Sequence, residues 1–152
     1  MASSLSNYLE AKLLDHMVNK AAFTAPTVVA CALFTTLPDD ASTGASLSPG
    51  VEVSGGSYAR IDTRTHNAGG TVWGSASATG TGQTAGSITT IADITFATAT
   101  ASWGTIVGVG LFDSTTIGAG NLLCYGDLTA TKTVGNGDVF KFLTGQLTLT
   151  LN

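Results

Sequence analysis

A 152-residue chain that does chemistry must do it with its nucleophiles, acids, bases and metal ligands, and here they are few and scattered. The histidines are His16 and His66. A metal site draws several His, Cys or carboxylate side chains together at short spacing. His16 has only Asp15 beside it, and adjacent residues leave a helix in diverging directions. His66 follows Arg60, Asp62 and Arg64 and extends their polar face. The members of a Ser/His/Asp triad need not be adjacent, but no G-x-S-x-G elbow is present to expose a nucleophilic serine. Asp39 and Asp40 stand in a Gly/Pro loop without the D-x-D-x-D-G pattern of a calcium loop. The glycine-rich TGTGQTAG at 79–86 lacks the lysine of a phosphate-binding loop and does not open a helix. Cys31 and Cys124 each lie in an apolar run and read as buried small hydrophobes, bridged only if their strands face each other. The expectation is a chain that is not an enzyme, with no catalytic residue, no metal and no cofactor.

Two residue patterns remain that could form a binding or assembly surface. Leu5, Leu9, Leu13 and Met17 recur every four residues, and Leu14 and Val18 widen the stripe. That stripe packs either across its own β domain or on a neighbouring subunit. Tyr58, Arg60, Asp62 and Arg64 alternate along one predicted strand and form a polar face, either solvated or fixing the register of a subunit contact.

These patterns need elements to hold them. The spacing predicts one helix over 5–20, with Asn7 and Glu10 at capping-box separation and Pro26 beyond its end. After Pro26 everything reads as β. Strands are expected at 27–36, 57–65, 72–78, 88–96, 103–112, 121–128, 139–143 and 147–151. The runs 28–34 and 106–112 should be central and buried. Gly108 and Gly110 should share a face with Ile106 and Phe112, where a ring or another backbone can come close. Turns are expected at 67–70, 79–86 and 135–138. The loop 37–56 has an exposed, mobile stretch at 40–50 that should tolerate deletion. No second helix is long enough for a crossover, so the sheet should be antiparallel. The expected fold is mainly β: a single domain over 1–152, with an antiparallel β-sandwich or jelly-roll-like unit of about eight strands at 27–152 behind one N-terminal helix.

Composition narrows the function. Charged residues make up 11% of the chain, against about 25% in ordinary soluble domains. A charge-poor, Gly- and Thr-rich surface suits one covered by neighbouring copies. The net charge is −4, and the six Lys and Arg residues are dispersed. No cluster can neutralise a run of phosphates or an anionic bilayer, so nucleic-acid and membrane partners are not expected. The longest apolar stretch, 28–34, is too short to span a membrane. The N-terminus has no basic, apolar leader pattern, which points to synthesis in a cytoplasm.

The blocks LSNYLEAKLLDH, TAPTVVACALFTTLPDD, VEVSGGSYARI, TASWGTIVGVGLFDS and NLLCYGDLT, with the tail segment from Thr131 to Phe142, resemble a group of small tailed-bacteriophage virion proteins. The resemblance runs over most of the chain, and 40–49 departs from it as an insertion. It implies a virion structural protein on the exterior of the particle, made in the host cytoplasm. Capsid decoration (cement) stands first and a tail-fibre or tail-tip component second, because aromatics are only 7% and the loops at 37–56 and 79–87 contain none. The expected partners are further copies of the chain, as a trimer, and other virion proteins such as the major capsid protein or tail proteins.

Overall fold

The computed structural model describes residues 3–66, 70–77 and 86–151. Its spine is the pair of apolar runs. β2 (Ala30–Phe34) is buried at every position and pairs antiparallel with β6 (Gly104–Phe112), Ala30 opposite Phe112 and Phe34 opposite Gly108. A strand apolar on both faces must be covered on both faces, and here it is. One cluster contains Cys31, Leu33, Val109, Leu111 and Cys124. A second contains Ala32, Phe34, Phe112 and Leu122 on the opposite face.

β7 (Leu122–Val134) continues the sheet beyond β6, and β1 (Ser3–Leu5) and β3 (Ile61–Asp62) form its edges, in the order β1-β7-β6-β2-β3. All pairings are antiparallel. Two ribbons face this sheet: β4 (Ser87–Thr89) with β9 (Thr148–Thr150), and β5 (Ile94–Thr95) with β8 (Lys141–Phe142). Ile94, Phe96, Phe140, Phe142 and Leu147 bring the ribbon side of the molecule onto the main cluster. Tyr58 stacks on Phe96 at 6.0 Å and meets Trp103 edge-on at 5.5 Å. Such ring pairs add to simple burial. The expected mainly β, antiparallel fold behind one N-terminal helix is what the chain adopts.

Several boundaries differ from expectation, each for a physical reason. α1 spans Asn7–Val18 and is capped by Ser6, whose side chain accepts from the Leu9 amide; Asn7 is already helical. Leu5 lies in β1 opposite Cys124, so it is a strand residue and not the first member of a helical stripe. The run 88–96 is two strands belonging to different ribbons. Of 72–78, the described part forms only isolated bridges, Trp73 to Thr90 and Ser77 to Ser87. The turns at 67–70 and 79–86 fall largely outside the described residues. Gly110 does carry a ring: a Cβ there would sit 2.6 Å from Phe34. Ile106 is not on that face, because the register of β6 against β7 shifts between Ile106 and Gly108 and returns Ile106 to the main cluster.

The segment 37–56 is hydrogen-bonded back onto the molecule: most of 40–50 is exposed, as expected, but its backbone is anchored and its apolar side chains reach inward. Leu47 and Val51 cover Phe34 and Phe112. The Gly44 amide donates to the Gly120 carbonyl at 2.8 Å, and a Cβ at Gly44 would lie 2.0 Å from the Ala119 oxygen. The Tyr125 hydroxyl donates to Asp40 at 2.7 Å.

Candidate assembly surfaces

The face expected from Tyr58, Arg60, Asp62 and Arg64 does not exist as a unit. Only Ile61–Asp62 is strand, and the four side chains separate. Arg60 is buried. Its Nε and Nη2 donate to the two oxygens of Glu52, both at 2.7 Å. Its Nη1 donates to the carbonyls of Ser114 at 3.0 Å and Ala119 at 2.9 Å. The guanidinium lies 3.7 Å from the Phe112 ring centroid. A buried charge is tolerable only when paired and hydrogen-bonded, and here all three guanidinium nitrogens have partners. Tyr58, also buried, donates to Glu52 at 3.2 Å and accepts from the Leu33 amide at 2.9 Å. Burial, and then the Glu52 charge, push its hydroxyl well above the usual tyrosine range. Tyr58 and Arg60 are therefore an internal clamp between the loop containing Glu52, the 114–119 turn and β2; neither is available to a neighbour. Asp62 and Arg64 stay at the periphery and hold the segment entering β2: Asp62 accepts from the Val29 amide at 3.4 Å, and Arg64 donates to the Pro26 carbonyl. Glu52, eight residues before Arg60, is the clamp residue that sequence reasoning missed; its alternation with Val51 and Val53 was the available signal.

The helix stripe is also divided. Leu5, Tyr8 and Leu9 pack on the main cluster, and Leu13 is half-buried. Leu14, Met17 and Val18 are 59%, 73% and 70% exposed. No residue of α1 is fully buried. Its C-terminal end is closed by its own linker, with the Phe23 amide donating to His16 Nδ1 at 3.3 Å. His16 therefore has a local structural contact. His66 is exposed and accepts a long 3.5 Å contact from the Thr95 amide.

A groove of about 530 Å³ runs between the outer half of β7 and β8, lined among others by Leu128, Lys132, Val139, Phe140, Lys141 and Gln146. Val139 is 48% exposed. Lys141 reaches Asp93 at 3.7 Å, whose carboxyl is held below the usual range by hydrogen bonds from Thr144 and then by the lysine charge.

Among the described residues no three His, Cys, Asp or Glu side chains lie together as a metal site, and no helix is long and apolar enough to cross a membrane. Cys31 and Cys124 are free and buried. Both pair in register with Leu111 from opposite sides of β6. They are thus two strand spacings apart, about 10 Å, beyond the reach of a disulfide. Burial pushes both thiols up, Cys124 to about 12.

A family model described as podophage GP4 fiber I protein gp80 matches residues 4–150. The chain belongs to this family. The match takes in α1 and the strands β2 to β9 entire. It agrees with the resemblance carried by the sequence blocks, and makes the chain a phage virion structural protein. No curated protein matches the chain.

Proposed function

We propose that the chain is a non-enzymatic subunit of a podophage fibre, on the exterior of the virion, where it assembles with copies of itself and with other virion proteins. The observation that carries this reading is membership, over residues 4–150, of a family described as fibre proteins. Two features of the surface support it. Leu14, Met17 and Val18 form a contiguous exposed apolar end on α1, the kind of patch that marks a contact with another protein. The rest of the surface carries little charge, as suits one that packs against neighbours. A cyclic trimer is the proposed form, because closed cyclic symmetry is the common solution for identical subunits and a three-fold axis can run along a fibre. Capsid decoration, first in the sequence reading, stands second because the family is described by its fibre. Separating heads from tail and fibre fractions of purified particles, then probing each with an antibody to the chain, tests the proposal. The signal should follow the fibre fraction; a signal confined to heads would replace fibre with decoration.

A further inference from the structure

Asn136 and Gly137 are the chain's one Asn-Gly pair, and they form the centre of the turn that follows β7. The Asp138 amide donates to the Gly135 carbonyl at 3.2 Å, and the Asp138 carboxylate accepts from the Gly135 amide at 2.8 Å. Gly137 has a φ of 90° and Asn136 a φ outside the left-handed region, the pattern of a type II turn with glycine third. Both central residues are exposed, and a Cβ at Gly137 would have nothing within 4 Å. The backbone on the far side of Asn136 is therefore as open to its side chain as a backbone can be.

That arrangement has a chemistry of its own. The Gly137 nitrogen, on losing its proton to hydroxide, can attack Asn136 Cγ. A C–N bond forms, the Cγ–Nδ2 bond breaks, and the departing nitrogen takes a proton from water and leaves as ammonia. The five-membered succinimide then takes up one water. Opening at Cγ gives aspartate. Opening at the backbone carbonyl gives isoaspartate, in which the chain runs through Cγ and is one carbon longer.

The folded chain holds this reaction back in two ways. The Gly137 amide donates to the Ala99 carbonyl at 2.7 Å, and the Ala99 amide donates to the Asp138 carbonyl at 2.9 Å; Ala99 is buried. The proton that must leave is thus engaged in a short hydrogen bond. Ring closure also needs the Asn136 Cβ eclipsed with the Gly137 nitrogen, whereas a type II turn holds ψ there near about +120°, which keeps the two apart.

We propose that Asn136 is a spontaneous deamidation site gated by the pairing of Gly137 and Asp138 with Ala99. It stays intact while the pairing holds and converts to isoaspartate and aspartate when the turn opens. The extra backbone carbon of isoaspartate puts the two partners of Ala99 out of step, so the converted turn cannot remake both bonds. The turn joins the two walls of the groove between β7 and β8, and conversion leaves that junction open.

The test holds full-length protein at pH 8 with and without denaturing urea, and follows the peptide containing Asn136 by mass spectrometry and isoaspartate-specific methylation. Because local opening limits the folded protein, conversion should be about tenfold or more faster in urea, and there Asn136 should outpace every other asparagine. Asp138→Asn removes the carboxylate that accepts from Gly135 and should speed conversion of the folded protein alone. Equal rates with and without urea, or an Asp138→Asn protein that converts no faster when folded, would overturn the gate. An Asn136 that survives in urea as long as Asn121 would overturn the site itself.

Discussion

Arg60 is the residue on which most of the fold converges, since it joins Glu52, Phe112 and the 114–119 turn. Removing one partner of a buried pair strands the other charge, at about 3–5 kcal/mol. Arg60→Met alone or Glu52→Gln alone should therefore lower urea-unfolding stability by that order, and the double replacement Glu52→Leu with Arg60→Met should recover much of the loss. If the single and double losses simply add, the clamp is not a coupled unit. Phe112→Ala, which empties the space beneath the guanidinium, should cost about 3–5 kcal/mol. The thiols give a prediction with a pH sign. The fold disfavours both thiolates, and an unfolded thiol ionises near 9.0. Their contribution is thus complete below pH 9 and is lost as pH rises toward about 12, the folded value for Cys124. A thiol reagent at pH 8 should label neither cysteine in the native protein and both after denaturation, and the melting temperature should fall between pH 8 and pH 11. Rapid native labelling would mean that the cysteine strands are not packed as described.

At the scale of elements, the 37–56 loop is a cover, with Leu47 and Val51 on the second cluster. Deleting residues 41–48 should destabilise the protein measurably in a thermal melt; an unchanged melting temperature would restore the sequence expectation of a dispensable loop. The outer end of α1 behaves in the opposite way. Leu14→Ser with Met17→Ser should leave the melting temperature of the isolated chain unchanged, because both side chains are already in water, while weakening self-association in sedimentation experiments. What was legible in the sequence follows from these packings. β2 and β6 could be read because their neighbours are local in pattern: apolar on both faces, with Gly108 and Gly110 spaced to admit Phe34 and Leu37. The helix start could not, because Ser6 and Asn7 are both able caps and the choice is made by β7, some 120 residues away, through Leu122 and Leu123. The Tyr58–Arg64 alternation looked like an exposed face because a period of two says which residues share a side, not which side is inside. Glu52, approaching from the loop, decided that Arg60 and Tyr58 turn inward. The break between β4 and β5 was hidden for the same reason: Asp93 and Thr90 are held by Thr144 and Gly145 from the far end of the chain.

Among the described residues of the whole molecule, the buried side-chain polar groups are hydrogen-bonded, while the outward half of α1 leaves three large apolar side chains, Leu14, Met17 and Val18, exposed together. A subunit of this kind should be stable as a domain and incomplete as a monomer. Sedimentation equilibrium of the full-length protein should give three chains, and removal of residues 1–20 should give a folded protein that no longer associates. A monodisperse monomer of the full-length chain at micromolar concentration would remove the basis for self-assembly. Whether this chain builds a fibre of a podophage virion can be seen by cryo-electron microscopy of intact particles decorated with a monoclonal fragment against the chain. The account predicts fragment density along the fibres and none on the capsid shell. Density at the lattice positions of the head, with the fibres bare, would contradict it.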